Sequence, residues 1–382
     1  MPSIDTDIAL VGGGLQSALI ALAVAHNQPH ARITVIEQTE TLGGNHTWCF
    51  HRTDLSDSAW DWIESLVIQR WPAWSVRFPN LRRTFDSEYA AISAHRLHEV
   101  VTRRLAMRSG SALLTGVTAD AIESDQVRLS SGETLRAALV IDARGPEPLA
   151  GPCAYQKFVG LEVELEEAAP FTNPMVMDAC VEQHDGFRFV YALPFSPTRV
   201  LIEETYFSDR PELDEELLAT RALASAASMG LRVSSIVRTE RGVLPLPLTW
   251  RPVEHAQSPL VAGYRGGFFH PTTGYSLPQA ARLAEQIAAQ PLSAPRGAPF
   301  RALVAQHNRQ ARFAVLLNRL LFRATLPQNR RDVLARFHEL PQETVLRFYA
   351  LNLTRLDRTR ILCGRPPRGV SFARALREAV NA

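Results

Sequence analysis

A short apolar run, Ile8 to Val11, is followed by Gly12, Gly13 and Gly14, then by small and aliphatic residues from Ser17 to Ala25, and then by a second apolar run from Arg32 to Glu37. Short apolar runs bounded by turn formers predict buried strands, and the longer run between them predicts a helix. The order predicts a βαβ unit with parallel strands. Further along, "ALVIDARG" (Ala138 to Gly145) predicts another strand of the same sheet, ending in small residues. "PLVAGYRGGFFHPTTGYSLPQAARLAEQIAAQ" predicts a strand, a glycine loop and a helix starting near Ser276. Between them, "FVGLEVEL", "FRFVYALPF" and "RVLIEETYF" predict an antiparallel sheet. After the Pro/Gly-rich "SAPRGAP" (293–299), apolar residues recur at helical spacing in "FAVLLNRLLFRATL" and "ETVLRFYALNLTRL". The fold class is therefore α/β: a doubly wound, Rossmann-type domain with an antiparallel sheet lobe and a helical C-terminal region. The expected division is 1–156 and 249–292 for the two parts of the first domain, 157–248 for the sheet lobe and 293–382 for the helical region.

Composition adds the scale and the setting. With 382 residues, 46% of them hydrophobic and 21% charged, the chain can bury a ligand. Its four cysteines form no CxxC pair and no metal-ligand spacing, so neither a disulfide framework nor a metal site is expected. The N-terminus passes almost at once into "DIALVGGG", and no run of 18 apolar residues follows, so neither a signal peptide nor a membrane span is expected. The net charge of +2 hides an asymmetry. Residues 301–382 hold 16 Arg, no Lys and 5 acids, leaving 25 basic and 34 acidic residues for the first 300. Arg-rich amphipathic helices predict either a surface resting on anionic lipid or a helical cap on the body, and a nucleic-acid partner is not expected. The expected location is cytoplasmic, peripherally associated with the inner membrane. Composition says nothing about protein partners.

The candidate chemistry begins at the glycine turn. Glycines at a strand-to-helix turn let backbone N–H groups approach a pyrophosphate at the helix N-terminus. Glu37, 23 residues after Gly14, ends the next strand where a ribose hydroxyl needs an acceptor. The third glycine position of the fingerprint is Ser17. Directly after the acid, "TLGGNHTWCFH" predicts a loop through Gly43 and Gly44 folding back over a ligand. The strand end at Asp142 and Gly145 and the late loop at Gly274 and Tyr275 add further approaches from distant parts of the chain. Several glycine-rich approaches suit a long cofactor, FAD, better than NAD, and the absence of a second GxGxxG argues against a permanent NAD(P) domain. A different puzzle lies in "RVLIEETYFS" (199–208), where Glu203 and Glu204 stand side by side in a strand and so face opposite ways. They mark either a charged edge strand or a carboxyl group aimed into a pocket.

The "VGGG" unit with Glu37, the "DARG" of 142–145 and the late glycine loop resemble the flavoprotein superfamily that includes aromatic hydroxylases and geranylgeranyl reductases. Within it, "GGNHTWCFH" (43–51), "LIEET" (201–205) and "FHPTTGYSLP" (269–278) resemble the bacterial lycopene β-cyclases, over essentially the whole chain. The late loop reads "AGYRGG" where many flavin hydroxylases carry Gly-Asp, so backbone donors would hold FAD there. The resemblance implies acid–base closure of both ends of lycopene, a lipophilic C40 polyene, to β-carotene, using reduced FAD with NAD(P)H as an external reductant. It also implies Glu203 as the acid and Glu204, facing the other way, as a structural or assisting carboxylate, though which of the two faces the substrate is not legible from the sequence. Trp48, Phe50, Phe268, Phe269 and Tyr275 become candidate π faces for a cation, and His46 and His270 become relays or hydrogen-bonding struts. Similar flavoproteins place an Arg near the pyrophosphate from the helix "SAHRLHEVVTRRLAM", which makes Arg96 a candidate. Two other readings compete: a flavin-dependent monooxygenase or reductase of a lipid or aromatic substrate, and a membrane-bound dinucleotide-binding protein without catalysis. Ring type, one or both ends, and the deprotonating base are not legible at this level.

Overall fold

The structure, a computed structural model, describes residues 5–145, 151–254, 256, 258–293, 297–363 and 371–380. Residues 294–296 of the Pro/Gly-rich linker lie outside the described residues. The first apolar run forms β1 (Thr6–Val11), and the glycine turn leads into α1 (Leu15–Asn27), buried from Leu15 to Ala25. That burial explains its run of small residues, which lets neighbouring layers lie close on several sides. Then comes β2 (Ile33–Ile36), parallel to β1. The chain leaves this sheet through β3 (Thr47–His51), α2 (Asp57–Ile63), β4 (Val67–Trp71), β5 (Trp74–Phe78), β6 (Leu81–Phe85) and β7 (Tyr89–Ser93). Ser93 ends β7 and caps α3 (Ala94–Ala106), its hydroxyl accepting the Arg96 N–H. The chain returns through β8 (Ala112–Leu114), the hairpin β9 (Ala119–Ile122) and β10 (Gln126–Leu129), and β11 (Thr134–Asp142).

The second lobe follows: β12 (Cys153–Leu165), β13 (Met175–Asp178), β14 (Phe187–Pro194), β15 (Arg199–Ser208), α4 (Glu215–Ser228) and β16 (Val233–Pro247). The chain then re-enters the first lobe with β17 (Leu260–Val261) and α5 (Leu277–Ala288). It ends in α6 (Ala298–Arg319), a π-helical turn at Leu320–Ala324, α7 (Arg330–Phe337), α8 (Gln342–Tyr349), α9 (Arg355–Leu362) and α10 (Phe372–Val380).

Strand order β8-β2-β1-β11, with β17 beside β11, makes a parallel core that β10 and β9 extend by antiparallel pairing. The order reverses around β1, so a crevice opens at the carboxyl ends of β1 and β11, where doubly wound sheets bind ligands. The second sheet runs β16-β12-β15-β14-β13-β5-β6. Residues 74–85, grouped by sequence with the nucleotide domain, thus contribute β5 and β6 to the second sheet. β3, β7 and β4 form a small third sheet between the two.

Alternation along β15 assigns its two faces. Val200, Ile202 and Tyr206 pack with Val159, Leu161 and α4 residues Leu218, Ala222 and Ala226, while Leu201, Glu203 and Phe207 face an interior cavity. The C-terminal helices close the end of that cavity. On α6, the buried amide of Asn318 donates to the carbonyls of Pro247 (3.0 Å) and Pro271 (2.8 Å). Arg330, fully buried, donates to both Asp209 carboxylate oxygens at 2.8 Å and lies 4.5 Å over the Phe322 ring. Glu378 of α10 accepts from Arg319 at 2.6 Å. The basic region is therefore built into the body as a cap.

Candidate active site

The cavity occupies about 1420 Å³, beyond the roughly 300–1,000 Å³ of an ordinary small-molecule pocket. It extends from the glycine turn to the C-terminal helices. At its first end, Gly12 adopts φ +97°, and a Cβ there would stand 2.7 Å from the carbonyl oxygen of Ala143, so only glycine lets β1 turn so close to the end of β11. Gly14 caps α1 with no side-chain hydrogen bond, and a Cβ on it would meet no protein atom within 4 Å. The first N–H groups of α1 thus face open cavity, an arrangement that favours phosphate. Glu37 follows β2; its Oε2 accepts the Gly13 N–H at 2.6 Å, and its Oε1 accepts from the Thr39 N–H and hydroxyl at 2.9 and 2.8 Å. Oε2 keeps a second lone pair for a ribose hydroxyl. Gly43, Gly44, Gly145, Gly274 and Tyr275 line the same space. The start of α5, with no acid in its first turn, adds a second helix N-terminus. These residues fit a long dinucleotide, and Gly12 to Gly14, Glu37 and the α5 turn would hold it.

Two expected cofactor residues lie elsewhere. The Asp142 carboxylate does not line the cavity; it accepts from Arg144 at 2.9 and 2.8 Å, so it orients Arg144, which does line it. Arg96 is held by the position of α3, and its guanidinium donates to the Ser65 carbonyl (2.9 Å) and to Glu99 (2.8 Å), outside the cavity wall.

In the middle of the cavity the strand register builds one row across four strands. Tyr191 of β14 pairs with Glu203 of β15, Glu203 with Gly160 of β12, and Gly160 with Glu240 of β16. Tyr191, Glu203 and Glu240 all reach the cavity. Burial, reinforced by the charge of Glu240, pushes the Glu203 carboxyl up to about 8, against the Thr205 hydroxyl that donates to it at 2.5 Å. Apart from the Arg238-paired Glu240, the titratable groups around it are neutral around pH 7. Burial pushes the Cys49 thiol up to about 12 and the Tyr89 and Tyr191 phenols well above their usual range, and drives His51 down to about 3. The Tyr89 and Tyr191 hydroxyls meet at 2.9 Å. Glu203 is the strongest acid among them that still carries its proton.

Glu204, expected on the opposite face as a structural or assisting catalytic carboxylate, does point the other way because adjacent strand residues alternate, and its place is the structural one. It is fully buried against α4, accepting from Arg188 Nε (2.7 Å), Arg188 Nη2 (2.8 Å) and the Ser225 hydroxyl (2.7 Å), and it does not line the cavity. This is a buried ion pair that joins sheet to helix.

Of the expected substrate residues, His46 and Trp48 line the cavity with ring centroids 6.0 Å apart, as do Phe268 and Tyr275. Burial and the charge of Arg238 lower the His46 pKa. Phe50, Phe269 and His270 do not line it. Phe50 alternates with Cys49 and His51 on β3 and so faces the core, 5.6 Å from Trp60. Phe269 stacks on Tyr264 at 4.4 Å and stiffens the late loop. His270 is a strut: Nδ1 accepts the Thr272 N–H at 3.1 Å, Nε2 reaches the Phe348 carbonyl at 2.8 Å, and burial holds it neutral at about 4. The sequence reading missed Glu240, Tyr191, Tyr89, Cys49 and His51. Only Gly160, a glycine inside a strand pattern, was a signal, since such glycines mark close approach.

The far part of the cavity is walled by Phe158, Met177, Phe189, Leu334 and Phe337. It opens beside Leu362 and Leu376, which are 49% and 56% exposed. Among the described residues no helix is long and apolar enough to cross a membrane, and no group of three or more His, Cys, Asp or Glu could hold a metal ion.

Comparison with known proteins follows the same lines. The family described as "Lycopene cyclase protein" matches residues 7–375. The lycopene beta-cyclase of Pantoea ananas is 40% identical over 371 residues, covering 94% of this chain and 95% of the relative. That of Pseudescherichia vulneris is 39% identical over 386 residues, covering 98% and 97%. Among solved structures, the flavin-dependent brominase Bmp2 superposes with a TM-score of 0.61 at 12% identity, over 91% of this chain and 93% of its own, a likeness of fold.

Proposed function

The chain belongs to the lycopene cyclase family, and from that premise we propose that it closes the linear ends of lycopene into β rings, with proton transfer by its own side chains and FAD held in the reduced form. The observation that carries the reading is Glu203: a buried carboxyl group on the cavity wall that keeps its proton to about pH 8. Ring closure needs a proton delivered to the terminal double bond, a pocket that tolerates the resulting carbocation, and a base that removes a ring proton. Glu203 delivers the proton, because burial keeps it in the acid form. Trp48 and Tyr275 offer π faces worth roughly 0.5–2 kcal/mol each to a cation close by. The apolar walls exclude water, which would otherwise capture the cation as an alcohol. Reduced FAD, when bound at the glycine turn, supplies negative charge that favours a nearby cation. NAD(P)H serves as an external reductant that keeps the flavin reduced.

The cavity mouth supports a membrane role. Leu362 and Leu376 stand exposed there, with Arg336 and Arg360 on the cavity rim and Arg374 and Arg377 exposed on α10. This surface rests on the cytoplasmic face of the inner membrane, and the lipophilic polyene enters the cavity from the bilayer. The test is anaerobic incubation of the flavin-reduced protein with lycopene-loaded vesicles in D2O. The expected product carries one solvent deuterium per β ring, without reductant consumed in proportion. Stoichiometric NAD(P)H oxidation, or rings without label, would overturn the reading in favour of a reductase or another proton donor.

A further inference from the structure

Resting on the cyclase reading, we infer that Glu240 is the base that removes the ring proton, and that Gly160 exists to let it share one substrate end with Glu203. Glu203 and Glu240 are both paired with Gly160, one from each side of β12. Two strand spacings separate their backbones by about 10 Å, and the residue between them has no side chain. A Cβ on Gly160 would stand 3.0 Å from Glu240 Cγ, 3.3 Å from Leu201 Cδ1 and 3.5 Å from Glu240 Oε1. The gap at Gly160 is thus the space into which the Glu240 carboxylate leans.

The two oxygens of Glu240 are differently occupied. Oε2 accepts from Arg238 Nη1 at 2.7 Å and from the Thr47 hydroxyl at 3.0 Å. Arg238 is itself fixed by Glu162 (2.9 Å) and the Thr47 hydroxyl (2.8 Å). Oε1 has no hydrogen-bond partner among the described residues and lies on the Gly160 side. One oxygen is anchored and the other is available to a substrate.

The chemistry divides between the two acids and balances. The Glu203 proton goes to the terminal alkene carbon and leaves a tertiary cation. The internal double bond donates its electron pair to that cation, forming the ring bond and moving the charge to the next ring carbon. A C–H bond beside the new cation then breaks, its electrons form the ring double bond, and the proton goes to Oε1 of Glu240. Proton exchange with water returns Glu203 to the acid and Glu240 to the carboxylate. A C–H next to a carbocation is acidic enough that the base needs position more than strength, so an Arg-paired carboxylate suffices. Taking the proton leaves Glu240 neutral in a buried wall, whereas His51 would become a buried cation. Because Glu240 reaches one of several such C–H bonds, its position sets which ring isomer forms.

The test compares Glu240→Gln, Glu240→Asp and Gly160→Ala with wild type, all flavin-loaded, with lycopene in D2O; product rings and recovered polyene are both analysed. For Glu240→Gln, ring formation is expected to fall about 10²-fold or more, as for loss of a general base. The residual products should spread over other ring isomers and water-captured alcohol, and deuterium should wash into recovered polyene, because Glu203 still protonates and the cation now reverts. Glu240→Asp should restore part of the rate with an altered isomer ratio. Wild-type rate and ratio in Glu240→Gln would overturn the assignment, and so would an inactive, normally flavin-loaded Glu240→Gln that leaves the polyene unlabelled. Should Glu240→Gln fail to bind flavin, Gly160→Ala decides: a shifted isomer ratio supports the assignment, and an unchanged ratio overturns it. Failure of wild type to cyclise would instead remove the cyclase reading itself.

Discussion

Replacing Glu203 by Gln should abolish ring closure and at the same time stabilise the protein above neutral pH. The side chain keeps its size and can still accept the Thr205 hydroxyl, but it has no proton to give. Activity should fall about 10²-fold or more, with flavin binding unchanged. The stability effect follows from the raised carboxyl, about 8 in the fold against an ordinary 4.5. Between those values the folded chain holds a proton that the unfolded chain has lost, so wild-type stability falls as pH rises from 4.5 to 8 and is level beyond. At about 1.4 kcal/mol per pH unit, the cost is about 3 kcal/mol at pH 7 and about 5 kcal/mol above pH 8. The Gln variant has no such slope. An unfolding entropy of about 2.1 cal/mol/K per residue, about 0.8 kcal/mol/K for this chain, converts this into a melting temperature higher than wild type by about 4 °C at pH 7 and about 6 °C at pH 9, with no difference at pH 4.5. Scanning calorimetry of both proteins from pH 5 to 9, beside the wild-type rate profile, measures it. The rate should decline above about pH 8 as Glu203 ionises. Parallel pH dependence of the two melting temperatures would refute the buried acid, and a fully active Gln variant would refute its role as donor.

Glu204→Gln should leave the buried Arg188 guanidinium without its counter-ion, costing about 3–5 kcal/mol in a denaturant titration while turnover per flavin-loaded molecule stays within about twofold; an inactive variant of wild-type stability would contradict this. Gly14→Leu should fold but purify without flavin, since its side chain would occupy the open space at the α1 N-terminus; bound-flavin absorbance at wild-type stoichiometry would refute that placement. Reversing Arg360, Arg374 and Arg377 to Glu should weaken attachment to anionic vesicles by 10²-fold or more, at about 1 kcal/mol for each Arg near such a surface, and cosedimentation insensitive to both salt and these changes would remove the membrane contact.

The parallel core was legible because its signals are local. A glycine turn between two apolar runs and an acid after the second specify β1, α1, β2 and Glu37 within about thirty residues. The second sheet was legible as antiparallel strands but not in its membership. β5 pairs with β13, about a hundred residues away in sequence, and β6 joins the sheet through β5; nothing in "WSVRF" or "LRRTF" states which edge will receive the hairpin. The role of the basic C-terminal region was equally hidden. Arg319 and Arg330 read as surface charges along amphipathic helices, yet Arg330 is fully buried on Asp209, and Arg319 on Glu378. An arginine is buried when a carboxylate from elsewhere meets it, and that meeting is a tertiary fact.

The same reason separates the legible acid from the illegible one. Glu203 stood out because it interrupts an apolar strand, while Glu240 lies in "RTER", where charge fills both faces of the pattern and suggests solvent. Among the described residues β16 pairs with β12 alone, so it is an edge of its sheet, and its sequence alone cannot say which face meets the cavity. Register settles it: Gly160 pairs with both acids, and that glycine is the only trace in the chain of a row that matters. A sheet filled for stability would carry a branched side chain at position 160 and no carboxyl at 203. This one leaves a gap at the first and holds a proton at the second at a cost of about 3 kcal/mol at neutral pH. The loss of packing and the cost of the buried acid fall on one cross-strand row, which is also where a proton can enter a polyene end from one side and leave it from the other.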